Sequence, residues 1–283
     1  MTNPLPLGAA NRLSAGFAFV EGPVWLSDEE VFVFSDLLPA TGPERVQPSR
    51  IQQIAATGGP ASLRLADAGT NGLALAADGS VLGCSHAEQA VVSLDLNSGE
   101  RRVLADRFEG ERFNSPNDLA VSRDGSIYFS DPDWQRGLRT SETGRTGVYR
   151  IAADGEVSLV DGSLNKPNGV VLSPDGRTLY VSAYDGVIRR YAVADDGSTG
   201  PAEQHAEVMQ PDGMSADCAG NLYVASASGD LWVFAPSGEA WGSVRIAAGL
   251  TNVAFGGSDA KLLLATAGTG VYALSVSLPG LPY

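Results

Sequence analysis

Residues Lys166 to Ser182 read KPNGVVLSPDGRTLYVS. An Asn-Gly step is followed by an apolar run, Val170 to Leu172. Ser173-Pro174-Asp175-Gly176 then turns the chain into a second run, Leu179 to Val181. Two short apolar runs joined by a Pro/Asp/Gly turn predict a β-hairpin. The phrase recurs. NGLALAADGSVLGCS begins at Asn71, NDLAVSRDGSIYFS at Asn117 and DGMSADCAGNLYVAS at Asp212, with variants EGPVWLSDEEVFVFS at Glu21 and NVAFGGSDAKLLLAT at Asn252. The six copies start 50, 46, 51, 44 and 40 residues apart. A Ser or Thr lies 13 or 14 residues after each start: Ser35, Ser85, Ser130, Ser182, Ser226 and Thr266. A period of this length with strand-type contents predicts an all-β six-bladed β-propeller.

Each hairpin is followed by a third apolar run: Arg50 to Ile54, Val91 to Leu96, Val148 to Ile151, Val187 to Val193, Leu231 to Phe234 and Val271 to Val276. A fourth, outermost segment (LRLADAGTNG, VSLVDGSLNKPNG, VRIAAGLTN) feeds the next copy. RLSAGFAFVEG, from Arg12, resembles those outer segments but has no copy ahead of it, and the last copy runs out before supplying one. The N-terminal strand is therefore expected to complete the last blade and close the ring, which removes the open edges. Residues 1–283 are expected to form a single propeller domain with residues 1–11 as a lead-in.

The connection into the third run is short in four copies. It is long in the first (Asp36 to Ser49) and the third (Asp131 to Gly147, DPDWQRGLRTSETGRTG). Both long loops should open on the face where the six copies begin.

The chain has 283 residues, 43% of them hydrophobic, with 34 Gly, 16 Pro and a net charge of −14. Strands and turns suit that composition. The acidic balance argues against a nucleic-acid partner and against an anionic membrane surface. No run of 18 apolar residues exists and MTNPLPLGAANRLSAGF lacks the charge and apolar core of a signal peptide. Two cysteines, Cys84 and Cys218, at non-equivalent positions fit a reduced cytoplasmic protein. Nothing calls for an obligatory protein partner.

The first residues of the copies are Glu21, Asn71, Asn117, Asn168, Asp212 and Asn252, all with side-chain oxygens. Equivalent positions of a propeller surround one axis, so the six converge. Glu21, Asn117, Asn168 and Asp212 offer two carboxylates and two amides, hard oxygen donors suited to one divalent cation, Ca²⁺ first and Mg²⁺, Mn²⁺ or Zn²⁺ after it. For any one copy, Asn-Gly or Asp-Gly serves a tight turn equally well. Six in register favour a site. A Ser-His-Asp hydrolase is disfavoured: only His86 and His205 exist, with no G-x-S-x-G elbow, and no phosphate-binding glycine motif occurs. His86, after Ser85, and Trp134 and Arg136, in the third copy's long loop, are candidate substrate contacts with Asn71 and Asn117.

These residues carry a resemblance. VEGPVW around Glu21, NSPNDLAV around Asn117, FSDP at Phe129 to Pro132, KPNGVVLSPDG around Asn168 and PDGM around Asp212 resemble the SMP-30/gluconolactonase family, which includes sugar lactonases and luciferin-regenerating proteins. The resemblance covers the chain from about Arg12. It implies a six-bladed propeller with one divalent metal on its axis. Metal ligation passes to Glu21, Asn168 and Asp212, Asn117 becomes a ligand or substrate contact, and Asp212 the acid/base. Two departures stand out. CSHAEQAV (Cys84 to Val91) replaces the CEHGNRRV often seen in members, and Ser115 stands where the animal branch has Arg. The expected activity is metal-dependent hydrolysis of a small lactone such as gluconolactone. The alternatives are another ester-like bond, such as an organophosphate, in the same site, and a non-catalytic binding propeller.

Overall fold

A computed structural model describes residues 3–280. The hairpin phrase forms the inner two strands of a blade: Pro167–Leu172 pairs antiparallel with Thr178–Ala183, Val171 opposite Tyr180 and Leu172 opposite Leu179. Val187–Ala192 and Glu203–Glu207 complete that four-stranded sheet. Five further sheets repeat the order, and the inner strands, from Val20–Leu26 to Leu250–Gly256, surround one axis. The protein is all-β, a six-bladed propeller.

The last blade closes as expected. Leu7–Ala15 pairs with Gly270–Ser275, Arg12 opposite Tyr272 and Ala15 opposite Gly270. The strand starts at Leu7, so residues 7–11 are part of the closing strand and not of a lead-in. Sequence pattern missed them because LGAAN has no apolar alternation: as a solvent-facing outer strand, it needs none.

The core lies between blades. Six apolar clusters fill the six joints, each built from two adjacent blades. Second strands are sandwiched in these joints and are buried on both faces; Phe32, Val33 and Phe34 are fully buried. The joint between the last and first blades, with Val20, Phe32, Phe34, Leu264 and Val271, is of the same kind as the rest. Burying a Val, Leu or Phe contributes about 1.5–3 kcal/mol. An open ring would forfeit several such terms. The hairpin Arg107–Phe108/Glu111–Arg112, between the second and third blades, was not foreseen; Glu109 and Gly110 both have positive φ, the two-residue turn that fits a twisted hairpin.

Candidate active site on the propeller axis

Two devices bring five of the six first residues to the axis. In the first and third blades an aspartate clamps the incoming backbone. Asp36 Oδ1 accepts the N–H of Ala18 at 2.8 Å, and Asp131 accepts those of Asn114 and Ser115, both at 2.8 Å. In the second, fourth and fifth blades the residue two positions ahead is left-handed: Gly69 (φ 63°), Lys166 (φ 50°) and Gln210 (φ 51°). A non-glycine residue there is strained, a feature common at functional sites.

Three serines of the repeat tie blade to blade. Ser35 Oγ donates to the Asn71 carbonyl at 2.7 Å, Ser130 Oγ to that of Asn168 at 2.6 Å and Ser182 Oγ to that of Asp212 at 2.8 Å. Each serine therefore fixes the axial residue of the following blade. The glycines after the axial residues serve close approach. A Cβ on Gly72 would lie 2.6 Å from the Asn117 carbonyl oxygen, and one on Gly169 2.8 Å from the Gly213 Cα. Of the four, only Gly22 has positive φ, so tight turns do not account for the motif.

The third blade has Asp118 where four others have glycine. Sequence reading did not single it out; the signal was its register with those glycines. Asp118 is buried and adds a third carboxylate to Glu21 and Asp212. Its oxygens accept the N–H groups of Leu119 at 3.0 Å and Val170 at 3.2 Å. Burial pushes its carboxyl up to about 7. Asp212 is pushed up to about 8 by burial and then by Asp118. Glu21 is raised well above the usual carboxylate range by burial, Asp212 and Asp118 in turn. The Asn252 amide beside Glu21 and Asp118, and the Asn168 amide beside Asp212, pull the other way.

Among the described residues none of these three carboxylates has an ion-pair partner. No three acidic, His or Cys side chains there gather closely enough to hold an ion unaided. Buried like charges need either protons or a cation. A mixed set of carboxylates and amide oxygens is the donor chemistry of a hard divalent ion. The residues fit such an ion.

Asn71 is buried and its Nδ2 has no partner among the described residues, a donor left over at the axis. Beyond Asp118 and Asn252 the channel continues as a cavity of about 580 Å³ whose walls include Leu73, Leu119, Val170, Met214 and Val253. The polar site thus lies at one end of the channel and an apolar space at the other.

The long loops do meet on the axial face. Leu138 N donates to the Glu44 carbonyl at 2.8 Å, so together they span the second blade. Arg139 fastens the third blade's loop to the second blade's turn, donating to the carbonyls of His86 and Ala87 there and of Gln135 and Arg136 in its own loop. Its guanidinium is committed to the loop. His86, expected as a candidate substrate contact, does not face open space. It is fully buried under this bridge with Nε2 2.6 Å from the Gln47 carbonyl oxygen, and burial lowers it to about 4, keeping the ring neutral. Trp134 is exposed on the loop, and the Arg136 guanidinium makes no ion pair among the described residues.

A propeller with carboxylates and amides converging on its axis defines the class. The family model described as the SMP-30/Gluconolactonase/LRE-like region matches residues 19–269, and the chain belongs to this family. It is 32% identical over 242 residues to a gluconolactonase of Zymomonas mobilis, covering 76% of this chain and 66% of that protein. The chain thus spans just under two thirds of that relative's length. The structure of XC5397 from Xanthomonas campestris, described as a gluconolactonase important in glucose secondary metabolic pathways, superposes with a TM-score of 0.84 at 30% identity over 96% of this chain and 91% of that one. A calcium-binding regucalcin from Agrobacterium tumefaciens shares the fold, with a TM-score of 0.79 at 19% identity over 99% and 98% of the two chains.

Proposed function

We propose that this protein is a divalent-cation-dependent hydrolase that opens small sugar lactones of the gluconolactone type. One observation carries the reading: three carboxylates, Glu21 and Asp118 buried and Asp212 half-buried, converge with amide oxygens on the axis with no ion-pair partner among the described residues. The 32% identity to a gluconolactonase supports the substrate class.

Glu21, Asn168 and Asp212 would hold the cation, with Asn117 as a fourth donor. Bound there, a divalent ion supplies electrophilic polarisation of the lactone carbonyl. Asp212, half-buried at the site, takes a proton from the attacking water. The water oxygen bonds to the carbonyl carbon, the ring C–O bond breaks, and the proton passes to the departing ring oxygen. The product is a hydroxy acid that ionises at neutral pH. Asn71 Nδ2 donates toward the substrate oxygens, and Trp134 and Arg136 form the outer wall. Asp131 stands behind Asn117, holding the backbone that leads into it.

No helix is long and apolar enough to cross a membrane among the described residues. The exposed free thiol of Cys218 suits a reducing cytoplasm. Proton release on adding glucono-δ-lactone tests the activity, before and after chelation and with Ca²⁺, Mg²⁺, Mn²⁺ or Zn²⁺ restored. Turnover that survives complete chelation would remove the cation from the reading, and no turnover with any ion would remove the lactone.

A further inference from the structure

Trp134 and Tyr184 meet edge to face with ring centroids 5.6 Å apart, yet stay 40% and 61% exposed. Neither belongs to an apolar joint. Both are nonetheless held. Ser115 Oγ donates to the Pro132 carbonyl at 2.6 Å and accepts the Gln135 N–H at 3.3 Å, which fixes the loop around Trp134 to a residue two positions ahead of Asn117. The Tyr184 N–H faces the carbonyls of Asn165 (3.2 Å) and Lys166 (3.3 Å), the strained turn two positions ahead of Asn168. Lys166 Nζ stands 4.4 Å from the Trp134 ring centre and 3.0 Å from Asp133 Oδ1.

Two residues of chain reach at most about 7 Å. The backbone that anchors each ring therefore lies within about one sugar ring of Asn117 or Asn168. Ordered aromatic rings offer contact area at small entropic cost. A pyranose has an apolar C–H face that can cover such a ring, with hydroxyls at its edge for Lys166 and Asp133.

In a six-membered aldonolactone the carbonyl carbon C1 and C4 lie on opposite sides of the ring. A carbonyl turned toward the axial carboxylates therefore sends O4 outward. We propose that Trp134 and Tyr184 form a subsite for a second pyranose, so that the site accepts lactones of glycosylated aldonic acids as well as simple ones. The inference rests on the lactonase reading above.

The test compares glucono-δ-lactone with its 4-O-glucosyl derivative, cellobionolactone, on the wild type and Tyr184→Ala. Tyr184 lies in an exposed turn, and thermal denaturation checks that the variant folds. We expect the disaccharide lactone to have the higher kcat/KM, and Tyr184→Ala to lower the disaccharide-to-monosaccharide ratio about tenfold, through KM. An unchanged ratio overturns the subsite and leaves the lactonase reading intact, as does a wild type that opens only the simple lactone. If neither lactone is opened, the lactonase reading falls and calorimetry with cellobionate against gluconate decides the subsite. Tighter cellobionate binding that Tyr184→Ala abolishes sustains it, and equal binding overturns it.

Discussion

Replacing Asp118 with Asn separates charge from shape at the axis. In cation-free protein the Asp118 carboxyl rises from its ordinary 3.8 to about 7. The fold therefore keeps a proton that the unfolded chain gives up. Stability from such a group is complete below about pH 4 and is lost as the pH climbs through about 7. The three-unit difference is worth about 4 kcal/mol at most. Asn carries no charge, so that loss disappears at pH 8. Against it, the amide has one acceptor oxygen for the two N–H groups of Leu119 and Val170, which costs about 1–3 kcal/mol. The variant should gain about 1–3 kcal/mol at pH 8. For a chain of this length the gain corresponds to about 2–5 °C in Tm. At pH 4.5 the wild type has lost only about 1 kcal/mol of that term, no more than the missing bond costs, and the variant should melt no higher than the wild type. Scanning calorimetry in chelator at both pH values reads this crossover. Saturating Ca²⁺ at pH 8 should reverse the order, because the wild type has one more negative charge for the ion. A variant that melts below the wild type in chelator at both pH values refutes the argument.

Asp212→Asn should lower kcat about 10²- to 10⁴-fold while weakening cation binding less than Asp212→Ala; near-normal turnover at saturating cation would place the base elsewhere. Removing residues through Ala15 takes away the strand on Gly270–Ser275 and the Pro4 carbonyl that Tyr223 Oη meets at 2.7 Å, so circular dichroism should show loss of the cooperative fold. Gly72→Ala puts a methyl 2.6 Å from the Asn117 carbonyl oxygen and 2.7 Å from Asp118 Oδ1; titration calorimetry should find cation affinity lowered at least tenfold, and an unchanged affinity would mean the axis is loosely packed. Arg139→Ala frees the third blade's loop from the second blade's turn and should change relative kcat/KM among lactones while leaving cation affinity within twofold. If the lactone profile stays fixed, the bridge does not shape the substrate.

The fold was legible because strand pairing within a blade is local and repeats with the chain. Asn168, Ser173 to Gly176 and Ser182 mark it within one short phrase, and the third strands fall within two residues of their expected limits. Packing between blades is not local. Asp118 hid in a position where other copies have glycine, since only neighbouring inner strands show why glycine is needed. His86 was read as a candidate substrate contact because its own hairpin places it on the axial face. What buries it arrives from loops about 40 and 50 residues away, and no spacing rule reports that contact. The roles of Ser35, Ser130 and Ser182 were likewise invisible, because each bonds to the next copy. Trp134 was picked out by its loop, whereas Tyr184 lies in a short turn with nothing in its sequence to mark it.

Ring closure has a consequence for how the chain is made. Leu7–Ala15 leaves the ribosome long before Gly270–Ser275, the strand it pairs with. The Ser277 hydroxyl finally reaches the Asn3 carbonyl across 274 residues. At about 5–20 residues per second, the first strand waits on the order of tens of seconds while five blades are completed. A waiting strand is open to capture by another nascent chain. LGAANRLSA is poorly suited to such capture: it has two leucines, no β-branched or aromatic residue, and an arginine and an asparagine at its centre. Its affinity for the last blade comes from the register and edges that only the finished neighbour presents. Late closure and a polar first strand thus belong together, and making that strand more apolar would raise aggregation during synthesis.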